Sequence, residues 1–150
     1  MVHNPHFAAV GSIDEAETLL TFRPSVPTFT AECELDSIAV FVMDHRRREV
    51  PVGDRTVELH YGRFVVSQQR AGIEEARRLA LDVSYGPDPI DLQVSGDVGR
   101  GYELGPEVPS DDIDGRSPAV VVWARDERFT MVASSELSCD VLIEIAGSLN

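Results

Sequence analysis

The sequence predicts an α+β domain: a mostly antiparallel, curved sheet of about six or seven strands with three helices packed on it. Three observations lead there. Two stretches, TVELHY and RFTMVAS, alternate apolar and polar residues with a period of two, the mark of half-buried strands. Most neighbouring strand-like stretches are separated by short polar or glycine-containing turns, which favours antiparallel pairing. Helical spacing occurs only three times, too seldom for the helix-per-strand alternation of a doubly wound parallel sheet.

Each element follows from local chemistry. Residues 1–11 read as a loose lead-in. SIDEAETLL (12–20) reads as a helix, with Ser12 as N-cap, Glu15 completing a capping box and an apolar face of Ile13, Ala16, Leu19 and Leu20. Pro24 and Pro27 end it and force an extended crossing. CELDSIAVFVMD (33–44) reads as a long strand with Cys33, Leu35, Ala39, Phe41 and Met43 on one face and Glu34 and Asp36 on the other, while Ile38, Val40 and Val42 make its middle apolar on both. After the polar connection HRRREVPVGD comes the clearest strand, with Val57, Leu59 and Tyr61 inward and Thr56, Glu58 and His60 outward. Gly62 turns the chain into RFVVSQQ as its hairpin partner.

The stretch at 72–86 places Ile73, Ala76, Leu79 and Ala80 at helical spacing. PDPIDLQVSG and RGYEL read as two short strands around a glycine turn, and 105–118 as a polar loop. AVVVWARDERFTMVAS (119–134) is a second hairpin, turning near Asp126, with Phe129, Met131 and Ala133 on one face. Ser138 caps a closing helix with a stripe of Val141, Leu142, Ile145 and Leu149. The oily sides of 56–69 and 119–133 are expected to share one interior with that helix.

Length and composition set the frame. One hundred and fifty residues suit a single domain spanning 1–150, long enough to bury roughly 70% of its unfolded surface. Acidic residues outnumber basic ones 26 to 13, for a net charge of −13, so nucleic acid and anionic lipid are repelled. All thirteen basic residues are arginine. No stretch is long and apolar enough to span a bilayer and the first residues do not form a signal peptide. As written the chain reads as cytoplasmic, or as extracytoplasmic if a leader has been removed.

Tests for chemistry end without a catalytic or metal site. GDVGRG (96–101) lacks the Lys-Ser/Thr of a phosphate loop and reads as a hairpin turn. SDDIDG (110–115) resembles the start of a calcium loop, but Val121 stands where the bidentate glutamate belongs. The histidines His3, His6, His45 and His60 lack zinc-site spacing. Ser134 and Ser135 sit where a cap is needed, and Glu74 and Glu75 suit a helix dipole. Cys139 opens the last helix, where a thiol pKa can fall; burial on the inner face is the simpler reading, and both Cys33 and Cys139 read as free thiols. His45, Arg46, Arg47 and Arg48 form the one basic run, read as a solvated loop or as a grip for an acidic partner.

Several motifs in order resemble a bacterial domain family of unknown function, found as the extracytoplasmic C-terminal domain of some anti-sigma factors and in related lipoproteins. SIDEAETLLTFRPSVPTF resembles its opening helix and proline step. TVELHYGRFVVSQQ resembles its paired strands, and VSGDVGRGYEL its glycine turn. VVVWARDERFTMVASSELSCDVLIEIAGSL resembles its tryptophan strand, return strand and closing helix. The likeness covers most of 12–149. It implies a non-enzymatic sensing or interaction domain, distantly like lipoprotein carriers, with no cofactor and no catalytic residues to carry over. The chain departs from the family in having no leader, transmembrane helix or sigma-binding domain.

Taken together, the sequence reads as a ligand-binding or regulatory module, with helices on one side of the sheet and an open face near Trp123 and Tyr61. Its partner would be an unknown protein or a small apolar ligand. The alternatives are a homo-oligomeric interaction domain, such as a homodimer, and an enzyme of unrecognised type using Cys139 or His60.

Overall fold

A computed structural model describes residues 6–106 and 116–149. It contains one antiparallel sheet of eight strands: β1 (Phe7–Val10), β2 (Leu35–Phe41), β3 (Thr56–Tyr61), β4 (Val65–Arg70), β5 (Ile90–Val94), β6 (Asp97–Tyr102), β7 (Ala119–Arg125) and β8 (Arg128–Ser134). The helices are α1 (Ile13–Thr18), α2 (Ile73–Leu81) and α3 (Cys139–Gly147). The strand order is β1-β2-β3-β4-β8-β7-β6-β5. The α+β class and antiparallel pairing agree with the sequence reading; the strand count is one higher. The extra strand is β1, inside the stretch read as a lead-in. Its four residues are too few to show a period, and pairing with β2 from Phe7↔Phe41 to Val10↔Ile38 makes the strand.

Local signals behave as their chemistry requires. Ser12 Oγ accepts from the Glu15 amide at 3.1 Å, and the Glu15 carboxylate reaches back to the Gly11 amide at 3.0 Å, one residue earlier than in a standard capping box. Ser138 accepts from Val141 at the start of α3. Val57, Leu59 and Tyr61 are buried as read. In β2, Ile38 and Val40 join the core beneath α1 while Ala39 is buried on the other face, so its middle is apolar on both sides as read, but a bulge between Leu35 and Ser37 takes Leu35 off the face of Ala39.

The glycines of 96–101 divide their roles. Ser95 and Gly96, at φ +50° and +88°, form the two-residue turn between β5 and β6. Gly99 and Gly101 lie within β6, not in a turn. A Cβ at Gly99 would stand 2.3 Å from the Val122 carbonyl oxygen, and one at Gly101 would stand 2.7 Å from Leu92 Cδ2 and 2.9 Å from Cys139 Sγ.

Helices cover both sides of the sheet, which corrects the expectation of one. On one face, Ala16 and Leu20 with Leu142, Ile145 and Ala146 pack on Val40, Val57, Leu59, Val66, Val121 and Val132. On the other, Ala76 and Ala80 of α2 press onto Tyr102, Val120, Val122 and Phe129, with Met131 and Ala133 alongside. Phe129 and Met131 therefore share a face as read, but beneath α2 rather than α3. Strand β7 lies between β8 and β6 and is covered on both sides, which explains its unbroken apolar run. Ile73, at helical spacing with these alanines in the sequence, is exposed, because α2 settles on its two alanines.

Candidate functional site

The strand order brings together residues that are remote in sequence. Arg70 pairs with Arg128 across β4 and β8, and Arg128 pairs with Arg125 across β8 and β7. Three guanidiniums thus stand side by side in one cross-strand row. Like charges directly opposite one another destabilise a sheet, so each needs compensation. Arg70 binds Glu127 at 3.0 Å, and Arg125 binds Asp97 at 2.9 Å. Among the described residues Arg128 has no carboxylate partner. Its guanidinium donates to Ser25 Oγ at 3.0 Å and lies 4.5 Å from the centre of the Phe22 ring. Burial, and then the neighbouring Arg70, push its pKa below the usual arginine value.

Two rows further into the same face, Gln68, Thr130 and Trp123 pair in register. Above these rows opens a cleft of about 410 Å³. Phe22 and Ser25 of the proline crossing form one wall and Ala146 and Leu149 of the α3 end another, with Val94 and Ser95 at the β5–β6 turn. Gln68 fixes the crossing. Its amide is fully buried, accepts from the Ser25 amide and donates to the Ser25 carbonyl, both at 2.8 Å. Pro27 bridges to Leu149 and the Thr28 amide donates to the Ser148 carbonyl, tying the same crossing to α3. Formal charges around the cleft balance: Arg70, Arg125 and Arg128 against Asp97, Asp126 and Glu127.

The residues singled out from sequence fall in different places. Trp123 packs in the core with an edge on the cleft. Tyr61 stacks on Phe64 at 4.6 Å, away from the cleft, and burial raises its phenol pKa. His60 Nε2 lies 3.0 Å from Glu58 Oε1 on the opposite sheet face, so the two do meet, but they do not line the cleft. Cys139 is buried. Burial first, then Glu103 and Asp140, raises its thiol pKa against the one lowering contact, the Tyr102 backbone, so the helix N-terminus does not activate it. Cys33 and Cys139 are free thiols.

Ser134 Oγ donates to the Arg63 carbonyl at 2.6 Å and accepts from the Glu136 and Leu137 amides, an organising role larger than a simple cap. The basic run is a turn held by Asp44, whose carboxylate accepts from the Arg46 and Arg48 amides and pairs with Arg48. Those amides, Arg48 foremost, keep the Asp44 pKa below the usual carboxylate range. His3 and the 110–115 stretch lie outside the described residues. Among the described residues no group of three or more His, Cys, Asp or Glu converges as metal ligands, and no helix is long and apolar enough to cross a membrane.

Sequence reasoning missed Arg128, Ser25, Phe22 and Gln68. The pairing of β4 with β8 is what gathers them, and no spacing in the sequence encodes it. Compared with protein-family models, curated proteins and solved structures, the chain shows no significant match.

Proposed function

We propose that this protein is a non-enzymatic binding module whose ligand is a small, partly apolar organic molecule held in the cleft over Trp123. The observation that carries the reading is the cleft itself. It has the size of a small-molecule site, apolar lining from Phe22, Val94, Trp123 and Leu149, and polar groups in Ser25, Thr130 and Arg128. Its walls come from five separate parts of the chain and are fastened by the Gln68 and Pro27 contacts. A pre-fastened site loses little entropy on binding.

The likeness of 12–149 to the extracytoplasmic domains of anti-sigma factors and lipoproteins supports the same reading, a sensing domain without chemistry of its own. The reading holds in either compartment, cytoplasmic or extracytoplasmic. A homo-oligomeric role rests on the outer strands β1 and β5, whose outer edges pair with no other strand among the described residues.

The test is a thermal-shift screen against fatty acids, nucleotides, peptides and small aromatic compounds, read together with Trp123 emission. The chain has one tryptophan, so the emission reports on a single residue whose edge lies on the cleft. A ligand at a hundred times its Kd raises Tm by about 5 °C or more and shifts the emission. If every compound leaves both signals unchanged, the reading fails.

A further inference from the structure

We propose that Arg128 is a specificity residue for a monocarboxylate: the cleft binds a molecule with one carboxylate on an apolar body, the carboxylate seated on the Arg128 guanidinium. The inference rests on the binding reading above and adds the chemical class of the ligand.

The argument begins with the row Arg70–Arg128–Arg125. Its outer members are neutralised by Glu127 and Asp97 at ion-pair distance. The central one is half-buried, crowded by a like charge and given only a hydroxyl and a ring face. A guanidinium has five N–H donors in a planar fork that matches a carboxylate. Among the described residues the Arg128 guanidinium makes one hydrogen bond, to Ser25 Oγ. Arg128 itself lines the cleft.

Desolvation and the neighbouring Arg70 work against this charge, and an incoming anion would offset both. A sheet that needed Arg128 only for its stem would be more stable with an uncharged residue at this central register position. The Phe22 ring beneath the guanidinium holds its plane in place, as a site for bidentate capture requires.

The surrounding charges select the anion. Asp97, Asp126 and Glu127 border the same cleft, and the chain carries −13 overall. With Asp97 and Glu127 taken up by Arg125 and Arg70, a phosphate dianion or a dicarboxylate finds one guanidinium for two charges and Asp126 beside it, whereas a single carboxylate is matched by Arg128 alone. The apolar body of the ligand then lies toward Val94, Trp123 and Leu149.

The experiment pairs acids with their neutral isosteres. Phenylacetate, 4-phenylbutyrate and octanoate are each titrated beside the corresponding primary amide, following the Trp123 indole N–H resonance. At least one acid is expected to shift this resonance, with its amide about tenfold weaker or more, the range of a charge-assisted hydrogen bond. Arg128→Gln brings the acid down to the affinity of its amide, and Arg128→Lys leaves an intermediate value. Arg63→Gln makes the same charge change outside the cleft and leaves the affinity unaltered.

An amide that binds as well as its acid overturns the proposal while leaving the binding reading intact. The same holds if Arg128→Gln keeps the acid's affinity, or if other screened compounds move Trp123 and no acid does. If nothing moves it, both readings fall. The acid-to-amide ratio in the unmodified protein decides the matter even if Arg128→Gln does not fold.

Discussion

At the scale of single residues, polar side chains hold this protein's connections in place. Ser134 is buried, and its one hydroxyl serves three backbone groups at the step from β8 to α3. Removing it strands two amides and a carbonyl in a place that water reaches poorly. Ser134→Ala is therefore expected to lower stability by about 2–3 kcal/mol, measured by urea denaturation, whereas Ser135→Ala stays within about 0.5 kcal/mol because that residue is exposed. A loss below 1 kcal/mol for Ser134→Ala would mean that the network adds little. The sequence pointed to the serine pair as caps, and chose no member. The difference lies in the Arg63 carbonyl, which the β3–β4 turn delivers from 71 residues away.

At the scale of elements, close approach decides what each strand can carry. Gly99 lies in β6 directly opposite Trp123, and the Val122 carbonyl occupies the space a side chain would need. A backbone oxygen within the sheet cannot step aside as a flexible side chain can. Gly99→Ala is expected to cost about 3 kcal/mol or more, at the upper end for overpacking, seen as a lower denaturation midpoint and faster amide exchange along β6 and β7. Gly101→Ala meets two side-chain atoms, Leu92 Cδ2 and Cys139 Sγ, and costs less because both can rotate. Equal costs for the two would show that β6 shifts as a unit. Helix α2 shows the same principle from the other side: Ala76 and Ala80, small and fully buried, let it settle closely on β7 and β8. Periodicity put Ile73 in the same helical spacing as these alanines without choosing which of them is buried, since it records spacing and not the depth to which a helix sinks.

At the scale of the whole molecule, the titrating groups shifted upward by burial set the alkaline limit. Cys139, Tyr61 and Tyr85 all have raised pKa values, each chiefly through desolvation. The unfolded chain loses these protons first, so their contribution to stability is full below the unfolded thiol value and declines as pH rises past about 9. The denaturation midpoint is expected to fall between about pH 8.5 and 11, and more gently in Cys139→Ala, which removes the earliest of the three titrations. A flat profile would show that these groups ionise freely in the folded state. What the sequence determined by itself was whatever neighbours in the chain decide: helix caps, two-residue turns, the alternation of β3, the antiparallel α+β class and the absence of zinc-type spacing among the histidines. What the tertiary structure alone decided was the sorting of faces and the gathering of the cleft. Phe129 lies beneath α2 and not α3 because β8 pairs between β4 and β7. Arg70, Arg125 and Arg128 meet for the same reason. Strand pairing is set by the summed burial of the whole sheet, a long-range quantity that no local pattern of residues expresses.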